Sequence, residues 1–358
     1  MGIHGLSKLI TTKAQNSIVH NPPEYYSGKT IAIDASMQIY QCLIAVRYAS
    51  GQLTDSTGST TSHITGILYR TIRLIEHGIK PVYVFDGKAP ALKQNELNKR
   101  KERQAAAENE LKKLNLNSEE TIQQEKRTVR ATKKDCDDIK ELLTLMGVPY
   151  IDAPSEAEAT CAALVKCGKA YATATEDMDA LTLGSKKMIR NINSSDQKKQ
   201  TTKEYSLELV LKDLAITMDQ FIDVCILCGC DYTKTIKGIG PVRALALIQE
   251  HSTIENVMSA LEKKHGTEQF KELVPEEYPI DEVRKLFKEP EVLSDVDITW
   301  LTPQKEELIE FLMKHSFSEE RVAKAIDRLM SAKSKGHQHR ISDFFKPKAV
   351  VAGSKRKL

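Results

Sequence analysis

Seven carboxylates stand where short apolar runs end. Asp34 closes KTIAID, Asp86 closes KPVYVFD, and Asp177 and Asp179 follow KAYATAT. Glu156 and Glu158 open the segment after PYIDAPS, and Asp231 lies within CILCGCDY. Asp152 also sits at a run end. If the runs are parallel strands, their C-terminal ends share one edge, where ligands of open α/β sheets bind, and acids distant in sequence converge. Unit charges a few Å apart repel by roughly 1–4 kcal/mol per pair, so such a cluster needs cations. Oxygen-only donors select Mg²⁺ or Mn²⁺ over zinc. One Mg²⁺ keeps most of its waters, so this many acids suits two ions, a pairing that goes with phosphoester hydrolysis.

Each acid also has an ordinary structural use. Ser155-Glu156-Ala157-Glu158 has capping-box spacing, with Ser155 as N-cap and Glu158 at N3. Asp177-Met178-Asp179 reads as a turn, and it lacks the glycine of a calcium loop. Asp34 and Asp86 can simply terminate strands. What tips the balance is the convergence of all seven, which capping and turn formation do not explain.

The elements that must position these acids are legible from periodicity. Lys29–Asp34, Lys80–Asp86, Pro149–Asp152, Lys169–Thr175 and Lys186–Ile192 read as strands, separated by helical stretches. Ile64, Ile67, Leu68, Ile72 and Ile75 recur at helical spacing, and Gly78 and Pro81 end that helix. Ile139, Leu142, Leu143 and Met146 form another apolar stripe, stopped by Gly147 and Pro149. The expected fold is α/β, a central mostly parallel sheet flanked by helices. Ala89–Lys134 interrupts it as a polar, helix-favouring excursion with little apolar stripe, and after residue 205 the chain reads as helical. The last 26 residues, with Gly336, Pro347 and Gly353, read as a flexible tail.

Charge is unevenly spread. The chain of 358 residues carries a net +3, yet Lys333–Leu358 holds eight Lys/Arg and one acid, and Lys88–Lys134 holds thirteen Lys/Arg and seven Glu. The rest is distinctly acidic. Basic segments on an acidic body point to a polyanion partner, with metal ions mediating at the acids. No run reaches the ~18 apolar residues of a membrane span, and no signal-peptide pattern opens the chain. Leu6 breaks the myristoylation pattern. Seven irregularly spaced cysteines suit reduced thiols in a cytosolic or nuclear compartment. Cys225, Cys228 and Cys230 have no second Cys or His pair at ligand spacing, which argues against zinc.

In combination, MGIHGL, IAIDAS, YVFDGKAP, APSEAEA, ATEDMD and GCDY followed by GIGP resemble the flap endonucleases, structure-specific 5′ nucleases of replication and repair. The resemblance spans essentially the whole chain. The short interval between the two catalytic halves distinguishes it from the excision-repair relative with its long insertion. The related 5′-3′ double-strand exonuclease, the alternative within the superfamily, carries a longer C-terminal extension. The resemblance implies a helical arch, a helix–hairpin–helix region and a flexible tail on the α/β body. It divides the chain into an N-terminal nuclease region (1–104), an arch part (105–119), an internal nuclease region with the helix–hairpin–helix (120–251), a C-terminal helical part (252–332) and a basic tail (333–358).

It further implies that Asp34, Asp86, Glu156, Glu158, Asp177, Asp179 and Asp231 hold two Mg²⁺, with Mn²⁺ as a substitute, and that Asp152 is a turn residue. Lys93 and Arg100, seven apart and so on one helix face, match residues that steer the scissile phosphate. A solvated Lys/Glu face is what their spacing alone suggests. Tyr40 matches a base-stacking ring, although a half-buried core tyrosine fits equally. Arg47, Arg70, Glu156, Gly229, Asp231, Gly238, Gly240 and Arg243 match DNA-contacting positions, with K⁺ at the hairpin. Two departures stand out: Cys230 replaces a common Ser, and Val242 a common Lys. In the tail, Gln338, Ile341, Phe344 and Phe345 within 337–345 match the box that binds the sliding clamp (PCNA). Three and four residues apart, the last three fall on one face of a turn, an apolar plug for a partner's pocket. Lys355-Arg356-Lys357 suits nuclear import, nucleolus and nucleoplasm included, and mitochondrial sharing is left open. The expected partner is branched DNA with a 5′ flap, without membrane, and the expected state a monomer. A haloacid-type phosphatase is disfavoured because Asp34-Ala35-Ser36 lacks its Asp-x-Asp. A non-enzymatic clamp-binding module has no use for seven converging acids.

Overall fold

The computed structural model describes residues 2–49, 61–111, 128–192, 202–275 and 277–335. A seven-stranded sheet with order β1-β7-β6-β5-β2-β3-β4 organises the first two thirds. Its strands are β1 (Ile18–Asn21), β2 (Thr30–Asp34), β3 (Lys80–Phe85), β4 (Tyr150–Asp152), β5 (Ala172–Ala174), β6 (Lys187–Arg190) and β7 (Thr202–Ser206). β6, β5, β2, β3 and β4 run parallel, with Ile33 opposite Ala174 and Asp34 opposite Val84. β7 and β1 add an antiparallel edge, Tyr205 pairing with Ile18. The chain builds outward from β2 through β3 to β4, then returns to lay β5 on the other side of β2. That reversal opens a crevice at the C-terminal ends of β2 and β5.

Alternation of strand residues divides the core. Ile31, Ile33, Tyr83, Phe85, Ala172 and Ala174 face one layer, made of α2 (Ala35–Ala49), α3 (Ser62–Glu76), α5 (Lys133–Leu145), α14 (Lys305–Lys314) and α15 (Glu319–Lys335). Ala32, Val82 and Val84 face α6 (Ala157–Lys166). Beyond α6 the short α7 (Asp179–Thr182) joins a helical layer of α1 (Leu6–Lys13), α8 (Leu207–Leu214), α9 (Met218–Cys228), α10 (Pro241–His251), α11 (Ile254–His265), α12 (Thr267–Leu273) and α13 (Ile280–Lys288). The α3 stripe is as its spacing predicts. Ile64, Ile67, Leu68, Ile72 and Ile75 are buried, each contributing roughly 1.5–3 kcal/mol. An Arg284 guanidinium on α13 reaches Asp223 of α9 at 2.7 Å and Glu255 of α11, knitting three helices.

The excursion after β3 forms α4 (Gln94–Leu111), where Ala107 alone is buried among its residues. Residues 112–119 of the expected arch part, the following residues 120–127, and residues 336–358 of the expected tail, with its clamp-binding box, lie outside the described residues, whereas residues 333–335 of that tail close α15. Sequence periodicity did not identify β1 or β7, whose residues IVHN and TKEYS carry little apolar signal.

Candidate metal centre and nucleic-acid interface

Strand ends and helix starts deliver the acids to one place. Asp34 is the last residue of β2, and Asp86 follows β3 directly. Glu156 and Glu158 stand at the start of α6, and Asp177 and Asp179 between β5 and α7. Asp231 comes from the loop after α9. One ligand oxygen each from Glu158, Asp177 and Asp179 lies within 4.8 Å of the others. Thr175 bridges the group, with its Oγ1 3.3 Å from Glu158 Oε1 and 3.5 Å from Asp34 Oδ2. Asp152 is not in it; its side chain is largely exposed and pairs with Lys140 at 2.6 Å.

The capping-box expectation fails. Helix α6 starts at Ala157 with Glu156 as N-cap, and neither Ser155 nor Glu158 makes the cap hydrogen bond. Instead the Ala157 N–H donates to Asp86 Oδ1 at 2.8 Å. A carboxylate from another strand end therefore satisfies the first turn, which the local pattern had no means of revealing.

Six of the seven acids fall into two electrostatic groups, while Asp86 accepts from the first turn of α6. Glu156 and Asp231 already have cations. Lys93 Nζ contacts Glu156 Oε1 and lies 3.2 Å from Asp231 Oδ2, and Arg100 Nη2 donates to Asp231 Oδ2 at 2.7 Å. The Tyr232 hydroxyl donates to the other oxygen of Glu156. Burial pushes the Asp231 carboxyl up, but Lys93 and Arg100 outweigh it and hold it below the usual range. Burial would likewise lower the Lys93 ammonium, and Glu156 and Asp231 reverse this. Lys93 and Arg100 are thus not a solvated helix face. They turn inward from the base of α4 onto the acids.

Asp34, Glu158, Asp177 and Asp179 form the second group. Burial, with Asp86 and Asp177 as neighbours, pushes Asp34 up to about 7. Burial and surrounding carboxylates push Glu158 and Asp179 up strongly as well. Acids held this way are relieved by a proton or by a cation, and an all-oxygen set at this spacing fits a hard divalent ion. The folded state binds Asp34's proton more tightly than the unfolded chain, whose Asp titrates near 4. Folding is therefore favoured at pH 4 and loses that contribution as pH rises through 7. In chelator, Asp34→Asn should exceed wild type in stability by on the order of 1–4 kcal/mol at pH 8, with the gap closing toward pH 4. Denaturant titrations at the two pH values measure it, and a pH-independent gap would remove the electrostatic account.

The chain terminus completes the second group, a contribution the motif MGIHGL did not disclose. The Ile3 N–H donates to Asp179 Oδ1 at 2.8 Å, and the His4 N–H donates to the Gly229 carbonyl at 3.1 Å. Gly2, at φ +70°, packs so closely that a Cβ would come within 1.9 Å of Asp177 Oδ1 and 2.2 Å of Asp179 Oδ1. Thr175 and Tyr232 were also missed, because a hydroxyl inside an apolar run carries no pattern of its own.

Away from the acids, α9 and α10 are joined by residues 229–240. Gly240 is the N-cap of α10 with open space beside it, and Gly238 has φ +76°. Arg243 folds back, donating to the Gly238 carbonyl at 3.0 Å, and Val242 is 60% exposed. Among the described residues Arg70 forms no salt bridge; its guanidinium donates to Gln38 Oε1 at 2.8 Å and Gln41 Oε1 at 3.2 Å, both neutral amide acceptors. Tyr40 is half-buried against the α2–α3 core. The Arg47 side chain lies outside the described residues.

Comparison with known proteins agrees with this architecture. Residues 1–107 match the XPG N-terminal domain and residues 147–231 the XPG I-region. Flap endonuclease 1 of Ovis aries is 48% identical over 362 residues, covering 100% of this chain and 94% of the relative. The catalytic core of Rad2, solved in complex with DNA substrate, superposes with a TM-score of 0.71 at 28% identity, covering 92% of this chain and 100% of that one. Flap endonuclease-1 from Methanococcus jannaschii gives a TM-score of 0.68 at 31% identity, covering 89% and 96%. With its full length matched and its carboxylates gathered at the sheet's switch point, the chain belongs to the flap endonuclease family.

Proposed function

We propose that the carboxylate centre hydrolyses a DNA phosphodiester at the base of a 5′ flap, leaving a ligatable nick, with 5′-3′ exonuclease activity. The observation that carries this is the pairing of a group of mutually repelling acids with two inward-turned cations. Among the described residues Asp34, Glu158, Asp177 and Asp179 form no salt bridge, while Lys93 and Arg100 pair with the adjoining Glu156 and Asp231. In this reading the seven acids hold two Mg²⁺, for which Mn²⁺ substitutes. When bound, these ions supply Lewis acidity toward water and the phosphodiester.

The protein's own groups do the rest. Asp86 orients the start of α6 and so aims Glu156 and Glu158. Thr175 fixes the spacing of Asp34 and Glu158. Ile3 N–H holds the Asp179 carboxylate in one rotamer. Lys93 and Arg100 leave Glu156 and Asp231 to meet the scissile phosphate, their charge matched to the negative charge that builds there. Gly238, Gly240 and Arg243 present backbone groups and a cation to duplex phosphates at the start of α10, with K⁺ in the hairpin. Gly229 shapes the loop that carries Asp231. Tyr40 stacks a base, and Arg47 and Arg70 meet the backbone at α2–α3. The protein acts as a monomer in the nucleus, in Okazaki-fragment maturation and long-patch base excision repair.

Cleavage of end-labelled flap, nicked and blunt duplexes, with Mg²⁺ and with EDTA, tests the reading. Cutting at the flap base in Mg²⁺ alone is expected. Cutting that persists in EDTA, or preference for blunt duplex over flap, would reject it.

The tail box gives a separate expectation. Phe344→Ala with Phe345→Ala should leave cleavage of free flap substrate unchanged and abolish stimulation by the sliding clamp, since two aromatic anchors dominate so short a contact. Calorimetric titration of the clamp onto the double variant checks this, and undiminished affinity would remove the box assignment.

A further inference from the structure

The sheet edge opposite the acids carries a row of lysines. Lys29 precedes β2, Lys80 opens β3, Lys169 lies just ahead of β5, and Lys186 and Lys187 stand at the start of β6. These four strands are neighbours in the order β6-β5-β2-β3 and run parallel. Their first residues therefore gather along one edge, spread over about 14 Å at ~4.8 Å per strand. The five residues of β2 separate Lys29 from the acid edge by about 17 Å, so the row is no part of the carboxylate centre.

A groove of about 430 Å³ opens along this edge beside the end of α6. Lys169, Lys186 and Lys187 line it together with Tyr171, and no carboxylate does. The acids that reach these lysines come from outside the groove. Lys187 donates to the buried Glu204 at 2.7 Å and to the Tyr171 hydroxyl at 2.6 Å. Lys169 donates to the fully exposed Asp295 at 3.1 Å. Lys186 reaches the Lys166 carbonyl at 3.3 Å, and Lys29 lies 3.7 Å from the Tyr25 ring centre and 3.9 Å from that of Tyr171. Among the described residues neither Lys29 nor Lys186 forms a salt bridge. Glu24, near the same edge, faces His77. Burial lowers the Lys29 ammonium, so a carboxylate brought beside it is favoured.

The chain itself shows how this edge is used. Between α13 and α14, Val296, Ile298 and Trp300 turn inward onto the α6 layer while Asp295, Asp297 and Thr299 are exposed, the alternation of an extended strand. Lys169 holds this segment by the Asp295 carboxylate and, at 2.9 Å, by the Val296 carbonyl. Trp300 fixes its far end by donating to the Pro81 carbonyl at 3.0 Å, with the Lys80 ammonium 5.7 Å from its ring centre. An acidic extended segment thus occupies the Lys169–Lys80 part of the row. Toward β6, Lys186 is exposed, Lys29 half-buried and Tyr25 43% exposed.

We infer that the Lys29–Lys186–Lys187 end of this edge docks an extended acidic segment of a partner protein, laid across the strand starts as residues 295–300 are. Its carboxylates meet the lysines, and its apolar side chains lie against Tyr25 and Tyr171. Nucleic acid suits the edge less well. The row's cations are all lysines, without the arginine forks that grip phosphate two-pronged. A partner held here leaves the opposite edge free, so docking and DNA cleavage are compatible.

The test is zero-length carbodiimide coupling of an oligo-glutamate peptide to the full chain, mapped by mass spectrometry, with affinity followed by fluorescence anisotropy. Cross-links are expected to concentrate on Lys29, Lys186 and Lys187. Lys29→Gln/Lys186→Gln should weaken peptide binding about fivefold, the scale of two exposed ion pairs, and raised salt should remove the difference. Lys263→Gln/Lys264→Gln on α11 should bind like wild type. Cleavage of flap DNA at the wild-type rate by the first variant would show that its fold is intact and its loss local. Cross-links confined to lysines of α4 or the tail would overturn the proposal, as would equal affinities for the two variants. Loss of oligothymidylate binding in place of peptide binding would make the edge a nucleic-acid surface and overturn it as well.

Discussion

Asp179→Asn is expected to reduce flap cleavage to below about one per cent of wild type while flap DNA still binds within roughly threefold. The substitution is chosen for what it keeps. Asp179 Oδ1 accepts from the Ile3 N–H, and the amide oxygen of Asn can do the same, so the terminus stays anchored. What is lost is one negative charge from the group of Asp177, Asp179 and Glu158, and with it a metal-binding oxygen. Alanine would confound this loss with release of residues 2–4. Binding should survive because duplex affinity is a sum over many phosphate contacts elsewhere. Removing a buried like charge should also stabilise the metal-free fold. A variant that cuts at more than a few per cent of wild type, under single-turnover conditions, would take Asp179 out of the centre.

Lys93→Ala and Arg100→Ala should each slow single-turnover cleavage by roughly 10²-fold, the scale for one positioned electrostatic stabiliser. Both cations contact Asp231, and Lys93 also contacts Glu156. In the resting protein they neutralise acids that would otherwise repel phosphate. During the reaction the same charges face the phosphate itself. Either way their loss leaves the centre more negative just where an anion must enter. Affinity should fall less than rate. Because the two side chains share Asp231, the double variant should lose less than the product of the single losses. Rates within threefold of wild type for both single variants at saturating enzyme would return them to a merely structural ion pair.

How much of this was legible beforehand differs by residue. Strand-end acids could be read because a parallel sheet turns sequence position into spatial position. Asp34, Asp86 and Asp177 needed only their runs to be recognised. Asp86 as a helix cap could not be read, since the partner N–H lies 71 residues away. Capping patterns are local, and Ser155 offered a local pattern that tertiary packing overrode. β1 and β7 were missed for a related reason. Short strands with polar residues have weak period-two signal, and the pairing of β7 with β1 and β6, not composition, makes them strands. The orientation of Lys93 and Arg100 was beyond spacing too. Seven-residue separation suggests one helix face, yet Lys93 closes the 3₁₀ turn Ala91–Lys93 just before α4, and spacing leaves open whether the two side chains look at water or at acids.

The anchoring of residues 2–4 has a consequence for how the molecule comes into being. Ile3 and Asp179 are separated by 176 residues, and His4 meets Gly229 still later in the chain. Residues 2–4 must therefore wait for a partner that emerges half a chain afterwards. Contacts of such sequence separation form late, because loop closure must precede any reward from the contact. The β2–β3 pairing and the α2–α3 layer can assemble during synthesis, but the acid centre closes only after residue 231 is out. A nascent chain that stops short of Asp231 then carries a scaffold without a working centre, and nuclease activity arises only once that residue has been made.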